Sequence, residues 1–154
     1  MVSFIDRFEQ ISGDGGMTLR IIEKNPGNAE QIPFYYYDIL VDGVPVGKIS
    51  IRIGENFHSY YNGHIGYEVF PEHRGHGYAG KACKLVLEVA RAHGMRRLYL
   101  TCAESNIASY RTIEKLGARL LEIRPVPEAY FAWREGIEDH RIYQLELERV
   151  REGS

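Results

Sequence analysis

The segment Arg74-Gly75-His76-Gly77-Tyr78-Ala79-Gly80 lies between a strand-like run that ends at Phe70 and a helix-like run that begins near Ala79. Its three glycines allow backbone conformations that other residues avoid, and they let N–H groups approach a ligand closely. The N–H groups that start the following helix have no helical partners, and the helix dipole adds to their attraction for an anion. Arg74 supplies a guanidinium suited to phosphate. The segment therefore predicts a phosphate-binding loop.

The same residues satisfy Gly-x-Gly-x-x-Gly, a pattern that also occurs in dinucleotide-binding proteins. Glu104 follows the next strand-like run, where such proteins carry an acidic residue that binds ribose. That pattern usually comes directly after the first strand of its domain, whereas here residues 71–74 intervene and much of the chain lies upstream. Binding of a nicotinamide or flavin dinucleotide stays open as the weaker alternative.

Two further stretches flank the loop. An approach strand covers residues 63–72, and a helix-like block covers residues 106–118. Residues 74–79 between them read as Arg, two residues, Gly, one residue, Ala. This set of three motifs, in this order, resembles the GNAT superfamily of acyl-CoA-dependent N-acyltransferases. Within that superfamily the block at 106–118 is more similar to the ribosomal-protein N-terminal acetyltransferases and to their antibiotic- and amino-acid-modifying relatives.

The resemblance implies that acetyl-CoA binds between two diverging strands, one around residues 65–70 and the other around residues 98–102. Its extended pantetheine arm would bond to backbone groups as an added strand does. No metal is required. The residues implied in binding are Val69 and Phe70 on the strand, Arg74, Gly75, His76, Gly77, Tyr78, Ala79 and Gly80 in the loop, and Asn106 and Ser109 downstream.

Acetyl transfer to an amine needs a proton acceptor, because a lysine-type amine has a pKa of about 10.4 and is protonated at neutral pH. Glu68 is the candidate base, since it lies on the strand beside the expected thioester and since many family members have a glutamate on this strand in that role. The alternative for Glu68 is a solvent-facing strand carboxylate. His64 lies on the same strand face and is a possible proton relay, although an isolated strand histidine is more often solvated.

The family's usual proton donor to the leaving thiolate is a tyrosine seven residues after the asparagine, and this chain departs from that pattern. Ile113 stands at that position, whereas Gly117 keeps the family's spacing. Tyr110 is a candidate acid only if it points between the strands, and otherwise Ser109 or water serves the thiolate. Asn106 is expected to bind the pantetheine or acetyl region and to cap the following helix.

The composition favours a small cytoplasmic enzyme with one domain over residues 1–154. The chain has 44% hydrophobic residues, and its net charge of −2 offers no general attraction to nucleic acid or to an anionic membrane. Charges interrupt the N-terminus before any long apolar run, so neither a signal peptide nor a membrane span is predicted. Cys83 and Cys102 lack metal-binding spacing and are expected to be reduced core thiols.

Hydrophobic periodicity predicts a mixed α/β fold with an antiparallel N-terminal sheet. Helical patterns cover about residues 79–94 and 107–116, and residues 54–63 are expected to form a long, partly exposed hairpin loop. The resemblance adds a mostly antiparallel central sheet with splayed strands and an abbreviated first helical region at residues 24–33. Strand patterns occur at residues 17–23, 34–41, 44–53, 65–70, 98–102, 120–123 and 143–147, with a hairpin signal at Asp42-Gly43.

These patterns leave the acceptor open among a small amine, an amino acid and a protein N-terminus. Because residues 24–33 have room for little more than a turn, the acceptor wall is expected from residues 54–63 and 129–134, or from the second subunit of a homodimer. Several tyrosines can line it or simply pack: Tyr35, Tyr36, Tyr37, Tyr60 and Tyr61. The leading hypothesis is an acetyl-CoA-dependent N-acetyltransferase, and the second is a CoA-binding sensor or interaction module without chemistry.

Overall fold

A five-stranded antiparallel sheet occupies the N-terminal half of the chain in the computed structural model, which describes residues 2–148. Its strands lie side by side in sequence order. The hairpin between residues 34–41 and 44–52 turns at Asp42 and Gly43, whose φ angles of 49° and 80° fit a type I′ turn. The strand bounds are Gln10–Ser12 (β1), Met17–Asn25 (β2), Phe34–Val41 (β3), Val44–Arg52 (β4) and Ile65–Val69 (β5).

A second sheet of three strands comes from the C-terminal half, in the order β6, β8, β7, and both of its pairings are antiparallel. Its strands are Arg97–Ala103 (β6), Arg119–Arg124 (β7) and His140–Glu146 (β8). The helices are Ser59–Asn62 (α1), Tyr78–Ala92 (α2) and Ile107–Lys115 (α3), and short 3-10 turns cover Asp6–Glu9 and Pro71–His73. Across residues 2–148, no helix has both the length and the apolar character needed to cross a membrane.

The main core lies between the five-stranded sheet and α2. Alternation along β3 buries Tyr35, Tyr37 and Ile39 in this core and turns Phe34 and Tyr36 to the opposite face of the sheet. From α2 the core receives Ala82, Cys83, Val86, Leu87, Val89 and Ala90. Both cysteines are buried free thiols, as predicted, and burial raises the pKa of Cys83 to about 12.

The two sheets meet immediately before β5. The N–H of His64 donates to the carbonyl oxygen of Tyr99 at 2.7 Å, and the N–H of Tyr99 donates to Nδ1 of His64 at 2.9 Å. Within residues 2–148, β5 and β6 form no ladder beyond this point, so the two strands diverge. The opening between them holds the candidate site.

The predicted fold class is confirmed, with antiparallel sheets, few helices and diverging central strands. Residues 26–33 form no helix, as expected for an abbreviated first helical region. Residues 54–63 do form a long, partly exposed connection between two antiparallel strands, as predicted, but it contains the helical turn α1, which was not predicted. The N–H of Ser59 donates to Oδ1 of Asn56 at 2.9 Å, and the N–H of Asn56 donates to Oγ of Ser59 at 3.0 Å. These bonds stabilise a single helical turn, which is too short to show hydrophobic periodicity in the sequence. Strand β1 was missed for a similar reason, since it has 3 residues.

Candidate active site

A groove of about 490 Å³ lies between β5 and the starts of α2 and α3. It brings residues 67–80 together with the distant residues 106–112, and most of the predicted site residues are among them. The lining consists of Tyr67, Glu68, Val69, His73, Arg74, Gly75, Gly77, Tyr78, Ala79, Gly80, Asn106, Ala108, Ser109 and Thr112.

The glycine loop delivers the start of α2 to this groove. Gly75 and Gly77 have φ angles of 89° and 74°, a left-handed conformation that favours glycine. Gly77 also occupies the N-cap position, and no side chain caps the helix there. The first N–H groups of this 15-residue helix, from Tyr78 to Gly80, therefore have neither a capping side chain nor a helical partner. Such a helix start is suited to bind phosphate.

Arg74 is anchored beside the same helix start. Its Nε donates to the carbonyl oxygen of Val69 at 3.0 Å, which ties the loop back to the end of β5. The side chain is otherwise exposed, so the two terminal nitrogens of the guanidinium are available to an anion in the groove. A tethered guanidinium of this kind offers phosphate a preorganised pair of donors.

The outer edge of β5 is open along the groove. Phe70 donates its N–H to the carbonyl oxygen of Val46 at 2.8 Å, so the backbone of Phe70 bonds toward β4. Because antiparallel bonding alternates along a strand, the backbone groups of Tyr67 and Val69 point the other way, toward the groove. An extended molecule with amide groups can bond to such an edge as another strand would.

Asn106 and Ser109 begin α3 on the opposite side of the groove. Oδ1 of Asn106 accepts the N–H of Ser109 at 3.2 Å, so Asn106 is the predicted helix cap. The amide nitrogen of Asn106 has no protein acceptor within residues 2–148, and the residue lines the groove. This nitrogen is therefore available to a ligand carbonyl while the oxygen caps the helix.

Tyr67 and Ser109 bring two hydroxyl groups together in the groove. Oη of Tyr67 and Oγ of Ser109 are 3.1 Å apart, and either can donate to the other. Burial raises the pKa of Tyr67, so its hydroxyl keeps its proton at neutral pH. The contact joins residues that are 42 positions apart, and for this reason sequence reasoning missed Tyr67.

Three predicted residues lie outside the groove lining. The backbone N–H of Phe70 is used within the sheet, as described above. His76 is exposed, and its ring stacks on Tyr78 with 5.2 Å between centroids. Tyr110 packs against the main core, and the guanidinium of Arg141 lies 4.0 Å from its ring centroid. Tyr110 therefore does not line the groove, whereas Ser109 and Thr112 of α3 do. The hydroxyl of Thr112 donates within the helix to the carbonyl oxygen of Ala108 at 3.0 Å, so Ser109 is the better placed of the two.

His64 is neither solvated nor placed to relay protons. The side chain is fully buried, and Nε2 bonds to the carbonyl oxygen of Gly54 at 2.7 Å while Nδ1 accepts the N–H of Tyr99. Burial lowers the pKa of His64. With both ring nitrogens bound to backbone groups, this histidine holds the sheets together where the groove begins.

Glu68 stands on the border between the groove and a second cavity of about 240 Å³. Its side chain is exposed and lines both spaces. The second cavity lies on the other face of β5 and β4, where Tyr36, Lys48, Arg52 and Gly66 also line it. A carboxylate on this border can accept a proton from a molecule that enters from the second cavity while another ligand occupies the groove.

A third cavity of about 300 Å³ adjoins the second, with which it shares Tyr36, Ser50 and Arg52. The two segments expected to wall the acceptor site do meet here, because the N–H of Phe131 donates to Nδ1 of His58 at 3.0 Å. The residues that these segments contribute to the wall are Asn56, His58, Ser59, Asn62 and Phe131. Of the five candidate tyrosines, only Tyr36 lines the second or third cavity.

An uncapped helix start beside an open strand edge defines a class of proteins that bind an extended, phosphate-bearing cosubstrate. The family described as Acetyltransferase (GNAT) family matches residues 5–118 of the chain. The chain therefore belongs to the GNAT acetyltransferase family. This membership removes the support for the dinucleotide-binding alternative.

Individual relatives agree with the family. The uncharacterized N-acetyltransferase YnaD of Bacillus subtilis is 32% identical over 103 residues, which cover 64% of this chain and 55% of YnaD. The structure is similar to the acetyltransferase that modifies the N-terminal serine of ribosomal protein L7/L12 in Salmonella typhimurium, with a TM-score of 0.60, 20% identity and coverage of 75% of this chain and 64% of the other. It is also similar to the microcin C7 self-immunity acetyltransferase MccE, solved with acetyl-CoA and AMP, with a TM-score of 0.57, 22% identity and coverage of 74% and 61%. The chain thus spans about half to two thirds of the length of these relatives.

Proposed function

We propose that this chain is an acetyl-CoA-dependent N-acetyltransferase that transfers an acetyl group directly to a primary amine. The observation that carries the proposal is the position of Glu68, between a groove suited to the cosubstrate and a second cavity on the other face of the sheet. Membership of the family, the description of YnaD as an N-acetyltransferase and the acetyl-CoA bound to MccE support it.

The groove residues fit acetyl-CoA, which supplies the activated acetyl thioester. The N–H groups of Tyr78, Ala79 and Gly80 and the guanidinium of Arg74 would hold its pyrophosphate. The open edge of β5 at Tyr67 and Val69 would bond to the pantetheine amides, with the amide nitrogen of Asn106 opposite. These roles need only backbone groups and two side chains that already line the groove, those of Arg74 and Asn106.

The proton transfers are assigned to Glu68 and Ser109. Glu68 accepts the proton that the amine loses as its nitrogen bonds to the acetyl carbon. Ser109, with Tyr67 behind it, donates a proton to sulfur as the carbon–sulfur bond breaks. The proton held by Glu68 then returns through solvent to the Ser109–Tyr67 pair, which restores both groups. The products are an N-acetylated amine and free CoA thiol, so the atoms and protons balance.

The test is release of free CoA thiol when acetyl-CoA is mixed with a panel of primary amines. Glu68→Gln should lower kcat by about 10² to 10⁴ and leave CoA affinity unchanged, because Glu68 moves a proton and does not hold the cosubstrate. Glu72→Gln is the matched control, since Glu72 is an exposed carboxylate nearby that does not line the groove. Full activity of Glu68→Gln at neutral pH would remove Glu68 from the mechanism.

A CoA-binding module without chemistry is the second candidate. It is favoured by Ile113, which stands where the family usually has its tyrosine and is buried. Tight binding of CoA with no thiol release for any amine in the panel would favour this second candidate.

We further propose a cytoplasmic location and contact with a second copy. Two buried free thiols support a reducing compartment.

The edge strand β7 exposes apolar side chains that a partner would cover, namely Leu120, Leu121 and Ile123. Molecular mass in solution tests the second copy, and Leu121→Lys should weaken any dimer.

A further inference from the structure

Arg52 is a half-buried cation that lines both the second and the third cavity. Its Nη1 donates to the carbonyl oxygens of Gly63 at 2.9 Å and Asn62 at 3.3 Å. Within residues 2–148, no carboxylate lies within ion-pair distance of its guanidinium, and Nε and Nη2 have no protein acceptor. Three of the five donor hydrogens of this guanidinium are therefore available to a ligand.

A charge in this position is costly unless something compensates it. Taking a guanidinium partly out of water disfavours its charged form, and burial accordingly lowers the pKa of Arg52. Arginine nevertheless stays protonated at neutral pH. Arg97 and Arg91, in contrast, pair with Glu55 and Glu88 at 3.0 and 2.6 Å. An anion bound in the cavities would complete the surroundings of Arg52.

The guanidinium lies close to the candidate base. A Cβ built on Gly66 would come within 2.8 Å of Nη2 of Arg52, so the guanidinium rests against the backbone of β5. Glu68 is two residues further along the same face of that strand, about 6.6 Å away along the strand axis. Both residues line the second cavity. A small molecule in this cavity whose amine and carboxylate share one carbon can therefore present its carboxylate to Arg52 and its amine to Glu68.

We infer that the acceptor is a small amino acid whose carboxylate binds Arg52 and whose amine thereby lies beside Glu68. This inference rests on the proposed function and specifies its substrate class. The bond that forms is the amide between the amino nitrogen and the acetyl carbon, the thioester bond breaks, and the amino acid leaves as its N-acetyl derivative. The side chain of the acceptor extends into the third cavity, whose apolar walls include Ile32, Phe34 and Phe131.

The third cavity also contains two carboxylates, and these would instead favour a polyamine. Glu23 and Glu30 are both exposed, and Glu23 already accepts the side-chain amide of Asn25 at 2.9 Å. Exposed carboxylates are screened by water and salt, so their attraction for a distant cation is weak. Arg52 is better shielded and lies nearer to Glu68, and the balance therefore favours an anionic acceptor.

The experiment measures thiol release from acetyl-CoA with each common amino acid as acceptor, and then with the α-amide and the decarboxylated amine of the best one. Spermidine and a tetra-alanine peptide complete the panel. The free acid should exceed its amide in kcat/KM by about tenfold or more, which corresponds to one charge-assisted pair. Arg52→Gln should bring this acid-to-amide ratio close to one, mainly through KM, with CoA affinity unchanged.

Matched variants separate an effect on acceptor recognition from an effect on the folded fraction of the protein. The acid-to-amide ratio is internal to each protein, so a smaller folded fraction does not change it. Arg20→Gln removes an exposed arginine on β2 that does not line the cavities, and it should preserve the ratio. Gly66→Ala should lower the ratio while retaining Arg52, because the added methyl group displaces the guanidinium.

Binding of the same amino acids to the CoA complex, measured by calorimetry, separates this inference from the proposed function. Amino acids that bind through Arg52, with no amine of the panel acetylated, would support the anion site and overturn the proposed activity. Equal or faster acetylation of the amide, of spermidine or of the peptide would overturn the inference and leave the acetyltransferase in place. If no amine is acetylated and no amino acid binds, both are overturned.

Discussion

Tyr67 and Tyr110 both lie near the start of α3, yet their surroundings differ. The hydroxyl of Tyr67 lies in the groove 3.1 Å from Ser109, whereas the ring of Tyr110 packs against the core beneath Arg141. Removing the Tyr67 hydroxyl would leave Ser109 without its neighbouring proton source. Tyr67→Phe should therefore lower kcat by about 10²-fold, at the lower end of the range for a general acid, with CoA affinity unchanged.

Tyr110→Phe is the matched control for this prediction, because it removes the same atom outside the groove. Its kcat should stay close to that of the unmodified protein in the same thiol-release assay. A large loss of kcat in Tyr110→Phe, with Tyr67→Phe unaffected, would return the role of thiolate acid to Tyr110.

At single residues, the sequence predicted function best where the contacts are local. Arg74 and the loop glycines are positioned by neighbours in the chain, and they lie in the groove lining, where the motif predicted a ligand. Tyr67 and Arg52 depend on which strand face meets which cavity, and that is decided by the register between distant strands. His64 shares a strand face with Glu68 by alternation, but the approach of β6 buries it, and no local pattern contains that information.

Among the secondary-structure elements, α2 has glycines at both ends with closely similar backbone angles. Gly77 and Gly94 have φ angles of 74° and 79°, so a β-branched side chain is strained at either position. Each substitution by valine should lower the free energy of unfolding by about 1 to 3 kcal/mol. Only Gly77→Val should also weaken CoA binding, by about tenfold or more, because only Gly77 precedes the N–H groups that line the groove.

Gly94→Val thus controls for strain without touching the groove. Calorimetric titration of CoA into both folded variants makes the comparison. Unchanged affinity in Gly77→Val would mean that the pyrophosphate is held elsewhere.

The junction of β5 and β6 makes stability depend on pH through His64. Because burial lowers its pKa in the folded protein below 6.5, the unfolded chain binds the proton more readily. The free energy of unfolding should therefore be greatest above about pH 6.5 and fall as the pH falls through the folded pKa. The same direction applies to His93, whose pKa is also lowered by burial.

Urea unfolding from about pH 5 to 7.5 measures this dependence. His64→Gln should be less stable at neutral pH, because it loses the bonds to Gly54 and Tyr99, but its stability should vary less with pH. The slope that remains should decrease further when His93→Gln is added. An unchanged slope in His64→Gln would assign the titration to another group.

The long elements were predictable from the sequence, and the short ones were not. The bounds of β3 agree with the alternation of apolar residues, and α2 agrees with a helical period that ends at a glycine. The turn α1 is held by side-chain bonds between Asn56 and Ser59, and β1 by pairing with β2, so neither has a period of its own. The periodicity of the sequence did not predict the division into two sheets. Only the resemblance to the family indicated it, through the expected splayed central strands.

For the whole molecule, cosubstrate binding and folding are linked. Acetyl-CoA or CoA at about 100 times its dissociation constant should raise the free energy of unfolding by roughly 2.7 kcal/mol. For a chain of this length, that is an increase in Tm of about 5 to 10 °C. NAD, NADP and FAD should leave Tm unchanged, and a comparable increase with one of them but not with CoA would contradict the assignment of the groove.

The open edge of β5 has a consequence for the ligand-free protein. A row of unpaired N–H and carbonyl groups is a template on which an extended segment of any chain can assemble. The proposed cosubstrate would cover this template, and the negative charge of Glu68 discourages a foreign strand only in part. This edge should therefore contribute to aggregation during expression, purification or heating, and a cell that keeps the protein supplied with CoA would at the same time protect it from that route.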